Sequence, residues 1–121
     1  DTKRCILSAS FVLQKGNKSE TKEKMDDYMA RRISKQPLEY PSAGSTFKRP
    51  KGNYASALIE QCGLKGYRVG DAMVSTKHSG FVINAGHATC EDVLKLVDHV
   101  KKVVYEQTGY ELECEIKTLG I

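Results

Sequence analysis

Residues Thr89 to Gly109, TCEDVLKLVDHVKKVVYEQTG, carry the start, the buried face and the stop of one helix in a single run. Thr89 with Asp92 three residues on is a capping box, in which a hydroxyl and a carboxylate each take up an amide that the first helical turn leaves open. Behind it Val93, Leu96, Val97, Val100, Val103 and Val104 recur at helical spacing, so one face is apolar, and Gly109 supplies the left-handed stop. Such a stripe needs a surface to lie on. Strand signals stand on both sides of it. Downstream, Glu111–Leu119 alternates Leu112, Cys114 and Ile116 against Glu111, Glu113, Glu115 and Lys117; upstream, Gly80–Ala85 and Tyr67–Val74 are two short apolar candidates.

Working back from there, Tyr54–Cys62 reads as a second helix with Ala55, Leu58, Ile59 and Cys62 inward and Gly63 at its end. Gln36–Asn53 holds all three prolines and is loop-like, with a short strand predicted over Ser45–Lys48. A first helix is capped by Ser19 or Thr21, shows Met25, Tyr28, Met29 and Ile33 at helical spacing, and stops before Pro37. Residues 5–13 alternate Leu7, Ala9, Phe11 and Leu13 against Ser8 and Ser10, which predicts a strand. The expected fold is α+β: three helices packed on one face of a small, mainly antiparallel sheet.

At 121 residues the chain is expected to form one domain. It begins at Asp1 without an initiator Met, which suggests a fragment or a processed product. No run of about 18 apolar residues and no signal-type leader is visible, so a cytoplasmic protein with no membrane partner is expected. The net charge of +4 comes from 19 Lys and Arg against 15 Asp and Glu, with the two signs mixed along the chain. Only Lys48, Arg49 and Lys51 cluster in a loop. That suits a small anion better than a nucleic acid, which wants a longer basic stripe with stacking aromatics. Cys5, Cys62, Cys90 and Cys114 stand far apart with no Cys-x-x-Cys pair, which predicts reduced structural thiols and no metal site.

The chemically suggestive stretch is Pro41-Ser42-Ala43-Gly44-Ser45-Thr46-Phe47-Lys48-Arg49-Pro50, which sets a hydroxyl beside two cations between prolines. Ser45 follows Ala43 and Gly44, so little bulk hides it. Two readings stand side by side: a serine bonding its own turn, and a donor to a small anion. The missing second glycine of Gly-x-Ser-x-Gly argues against a hydrolase elbow. Gly63, Gly66 and Gly70 fit neither a dinucleotide nor a Walker spacing and read as a helix stop and two turns. His78 and His99 read as ordinary polar positions, and the glutamates of the last strand as a solvated face, unless one of them reaches a cleft.

Five segments share order and spacing with one family: Arg31-Arg32 through Lys35-Gln36-Pro37, the turn Pro41–Pro50, Leu58–Gly66, Val74–Phe81 and Glu113–Lys117. Together they resemble MurB, the UDP-N-acetylenolpyruvoylglucosamine reductases of bacterial peptidoglycan synthesis, over roughly residues 5–120. The resemblance implies the substrate-binding C-terminal domain at residues 17–121, preceded at residues 1–16 by the terminal strand of an upstream FAD-binding region. It implies an NADPH- and FAD-dependent oxidoreductase whose flavin sits on other domains of the same polypeptide, with no cofactor bound to this chain and no activity from it alone. It further implies Ser45 and Glu115 as catalytic residues, Ser45 giving a proton to a carbanionic carbon and Glu115 bonding the enolic carboxylate. Lys35, Arg49 and His78 are implied as contacts to a UDP-sugar. Where many members have a proline just before the glutamate, this chain has Cys114. The alternatives are a stand-alone nucleotide-sugar-binding module without catalysis and, less favoured, a basic RNA-binding domain.

Overall fold

The computed structural model describes residues 5–120, which divide into two compact units, one running through Arg31 and one from Arg32 onward.

In the first unit residues 5–17 have no regular secondary structure, so the strand expected over 5–13 is not formed. A strand is defined by a partner for its amides and carbonyls, and this segment pairs with none among the described residues. Its apolar side chains stay in solvent, with Phe11 82% and Leu13 85% exposed. Helix α1 spans Lys18–Lys35. Its cap is Asn17, not Ser19 or Thr21: the Asn17 Oδ1 accepts from the Ser19 amide at 2.9 Å and the Glu20 amide at 3.3 Å. Pairs four residues apart, Lys22–Asp26 at 2.9 Å and Arg31–Asp27 at 2.8 Å, brace its polar side. None of its residues is buried, the apolar stripe included.

The second unit holds a four-stranded antiparallel sheet, β1 (Ser42–Ser45), β2 (Arg68–Val69), β3 (Ala72–Val74) and β4 (Phe81–Asn84), in the order β1-β4-β3-β2. With α2 (Ala55–Gln61) and α3 (Cys90–Thr108) this makes three helices and one antiparallel sheet, an α+β fold. Helix α3 has the anticipated ends: Thr89 and Asp92 form the reciprocal capping box, and Gly109 at φ 74° closes it. Leu96, Val97, Val100 and Val104 of α3 are sealed against Leu58 and Ile59 of α2 and against Ala72, Val74 and Val82 of the sheet. Burying each of these larger aliphatic side chains stabilises the fold by roughly 1.5–3 kcal/mol.

Three strand expectations within this second unit needed correction. Tyr67–Val74 is not one strand but a hairpin, because Gly70 at φ 55° turns the chain between Val69 and Ala72. The strand in the proline-rich loop lies at Ser42–Ser45 instead of Ser45–Lys48. Glu111–Leu119 makes only one bridge, Phe47 with Cys114, flanked by Lys48 N–H to Glu113 O at 2.8 Å and Glu115 N–H to Thr46 O at 2.9 Å. Its alternation nevertheless holds. Leu112 is buried, Cys114 and Ile116 pack on the core, and Glu111, Glu113 and Glu115 face solvent.

Candidate functional site

The site begins with a count that does not match between two strands. Ser42 pairs with Ile83 and Ser45 with Phe81, so β1 uses three steps where β4 uses two. Gly44, at φ 82°, provides the left-handed backbone that such a bulge asks for. Three steps along a regular strand would put Ser42 and Ser45 on opposite faces. The bulge puts both on the face of Phe81, and both line the same cleft. The next residue turns inward. Thr46 is buried, its amide donates to Gly80 O at 2.8 Å, and its Oγ1 accepts from the Val82 amide at 3.0 Å.

Adjacent hydroxyls thus have different duties. Thr46 is spent on the sheet. Ser45 is exposed, and its Oγ donates to the Phe47 carbonyl at 3.4 Å, a long bond that a ligand could readily replace.

Two clefts meet at Ser45. The larger, 590 Å³, is lined among others by Arg32, Gln36, Tyr40, Ser42, Ser45 and Phe81. The smaller, 220 Å³, is lined by Ser45, Phe47, Arg49, Tyr54, Ser56 and His78 with Ala55 and Gly80. Its walls are built locally. Ser75 Oγ accepts from the Lys77 and His78 amides at 3.1 and 3.2 Å, and Ser79 Oγ donates to Ser56 O at 2.7 Å, tying the loop between β3 and β4 to α2. His78 stands edge-on to Phe81 with centroids 4.9 Å apart, and its Nδ1 accepts from the Gly80 amide at 3.1 Å. An imidazole that accepts at Nδ1 carries its proton on Nε2, so His78 is set as a donor there.

The charges sort themselves unequally. Lys48 is paired with Glu113, and that contact, with Glu115 adding to it, holds its ammonium above the ordinary lysine range. It is therefore not a free cation beside Ser45. Arg49 is placed differently, its guanidinium 4.0 Å from the centre of the Tyr54 ring. Glu115 is joined through its own amide to Thr46, one residue from Ser45, and its carboxylate is exposed. Lys35 is the last residue of α1 and lines neither cleft, whereas Arg32, a turn earlier, lines the larger. Elsewhere, Glu39 is held below the ordinary carboxylate range, chiefly by its own backbone amide and then by Lys77. All four cysteines are free thiols, and burial pushes the Cys62 thiol up.

Of the five residues anticipated from the sequence, Ser45, Arg49 and His78 share the 220 Å³ cleft, Glu115 is bonded through its amide to Thr46, directly after β1, and Lys35 stands apart. Sequence reasoning gave no role to Arg32, Tyr40, Tyr54 or Ser56. The aromatic residue directly before α2 was the available signal for Tyr54, since as N-cap it makes no side-chain capping bond.

A small α+β domain with an outward serine on a bulged edge strand, cations in the clefts on either side, and a carboxylate on the adjoining segment presents a donor and positive charge to a small anion. Residues 36–119 match the family described as UDP-N-acetylenolpyruvoylglucosamine reductase, C-terminal domain, and the chain belongs to that family. The UDP-N-acetylenolpyruvoylglucosamine reductase of Clostridium novyi is 57% identical over 115 residues, and that of Thermotoga maritima 53% identical over 116. These matches cover 95% and 94% of the chain but only 38% and 41% of the relatives. The chain thus spans about two fifths of their length. Among solved structures, the crystal structure of UDP-N-acetylenolpyruvylglucosamine reductase (MurB) from Thermus caldophilus aligns with a TM-score of 0.69 at 38% identity, over 86% of this chain and 36% of that one.

Proposed function

We propose that this chain is the substrate-binding domain of a reductase that converts a UDP-linked enolpyruvyl sugar to UDP-N-acetylmuramate in the cytoplasm, and that Ser45 is its proton donor. The observation that carries this reading is the seat of Ser45: an outward hydroxyl, weakly held, at the junction of two clefts that contain Arg32, Arg49 and His78.

The flavin that the resemblance implies has no ready seat at the longest helix of this chain: a helix start with open amides suits a diphosphate, but the start of α3 is already closed by Thr89 and Asp92 and carries Glu91 as well. The reading therefore places FAD, and the NADPH that reduces it, on the rest of the polypeptide, with residues 1–16 as the end of that part. Hydride delivery is the work of those domains, and the isolated chain is inactive.

What this chain contributes is the handling of charge and proton. Hydride arriving at the β-carbon of an enolpyruvyl ether leaves negative charge on the α-carbon and its carboxylate. An alcohol is a poor acid toward most groups, but an enolate carbon is basic enough to take its proton when the two are held in contact. Ser45 gives its proton to that carbon and recovers one from solvent. Arg49 and the Nε2 donor of His78 face the anionic substrate, and Lys35 meets its diphosphate where α1 ends. Glu115 bonds the enolic carboxylate in its protonated form, which calls for cover over a side chain that is exposed in this chain. The flavin-bearing domains supply that cover.

The test is Ser45→Ala in the full polypeptide with the two half-reactions separated. Flavin reduction by NADPH stays unchanged, while reoxidation by the enolpyruvyl substrate slows by about 100-fold or more. Equal loss in both would make Ser45 a structural residue.

A further inference from the structure

The cleft that holds Arg49 also contains an aromatic ring with no task in the fold. Tyr54 precedes α2, makes no side-chain cap, and is 57% exposed. The turn at Pro50–Asn53 brings it back toward Arg49. Gly52 there is at φ 79°, the Asn53 amide reaches Pro50 O at 3.4 Å, and Asn53 Oδ1 accepts from the Tyr54 amide at 2.8 Å. The guanidinium of Arg49 lies 4.0 Å from the ring centre, and both residues line the 220 Å³ cleft with Ser45 and His78.

Arg49 is itself exposed, and among the described residues no carboxylate pairs with it. A long cationic side chain on an open loop would sample many rotamers, and a ligand would have to meet the cost of ordering it. A ring face removes part of that cost without neutralising the charge, as a carboxylate would. Lys48 next door shows the contrast, being tied up by Glu113. A guanidinium seated over a ring face keeps N–H groups to offer an anion.

We propose that Tyr54 is a positioning residue whose ring holds the Arg49 guanidinium at the cleft shared by Ser45 and His78, ready for an anionic group of the substrate. The proposal rests on the reading of Arg49 as a substrate contact. It assigns the effect to the ring face, so the phenolic hydroxyl is dispensable.

The experiment uses the full polypeptide, steady-state kinetics with the UDP-enolpyruvyl sugar, and five variants: Tyr54→Phe, Tyr54→Leu, Arg49→Met, Arg49→Lys and the double variant Tyr54→Leu/Arg49→Met. Tyr54→Leu raises KM about two- to fivefold with kcat nearly unchanged, the range expected for a cation–π contact at an exposed site. Tyr54→Phe restores wild-type KM. Arg49→Met raises KM further, and adding Tyr54→Leu to it has no additional effect, since the ring then has nothing to hold. Arg49→Lys falls between, because an ammonium keeps the charge and loses the planar fork. A urea midpoint for each variant separates these outcomes from unfolding. If Arg49→Met raises KM while Tyr54→Leu does not, or the two effects add, or Tyr54→Phe fails to rescue, the positioning role is wrong and the role of Arg49 stands. If Arg49→Met leaves KM unchanged, it is the reading of Arg49 that falls, and the positioning role falls with it.

Discussion

Helices α1 and α3 are almost equal in length, 18 and 19 residues, and both carry apolar residues at helical spacing, yet their fates differ completely. In α3 Leu96, Val97, Val100 and Val104 are sealed. In α1 Met25, Tyr28, Met29 and Ile33 are all more than half exposed. Periodicity tells which face of a helix is apolar, but it does not tell what covers that face. The sheet covers α3. For α1 and the apolar run at residues 5–13 no cover is described, in a chain that spans about two fifths of its relatives.

This contrast can be broken by mutation. The largest effect belongs to the covered helix: Leu96→Ala leaves a void in a site with no solvent exposure, and chemical denaturation should show a loss of about 2–5 kcal/mol. A loss under about 1 kcal/mol would mean that α3 is not the centre of the core.

A smaller effect comes from the end of the same helix. The Thr89 amide and hydroxyl hold the Asp92 carboxyl below the usual aspartate value of 3.8, so the charged form is favoured in the folded state. That contribution is complete above pH 3.8 and disappears as the pH falls through the lower folded value. The Tm difference between wild type and Asp92→Asn should therefore be present at neutral pH and shrink in acid. A difference that stays constant down to pH 2 would argue against the carboxylate as its source.

The smallest effect is expected on the uncovered helix. Met29→Ala should change the stability of this chain by less than about 0.5 kcal/mol. In the full polypeptide the same change should cost more, if the rest of the protein supplies the missing cover. Equal, negligible costs in both settings would leave the α1 stripe without a partner.

Much of the fold was legible because its signals are local. The capping box at Thr89, the stop at Gly109, the stripe of α3 and the alternation of Leu112, Cys114 and Ile116 all depend on near neighbours. What failed depended on partners distant in sequence or on a single backbone angle. Residues 5–13 alternate correctly but pair with nothing among the described residues, and the turn read at Gly70, with φ 55°, splits one expected strand into two. In the candidate site, the residue types around Ser45 suggested a turn that meets an anion. The engagement of Lys48 by Glu113 and the seat of the Arg49 guanidinium over the Tyr54 ring came only with the third dimension. Those contacts join side chains according to where the backbone returns, which no spacing rule encodes.

The extra residue in β1 has one more implication. A regular strand addresses its side chains by parity, odd to one face and even to the other. Between Ser42 and Ser45 that address is rewritten by Gly44, so the length of the turn carries information that its individual residues do not. Exchanging an exposed side chain such as Ser42 alters the lining of the larger cleft. Inserting or removing one residue would change which hydroxyl, Ser45 or Thr46, is delivered to the outside and which is sealed in the sheet.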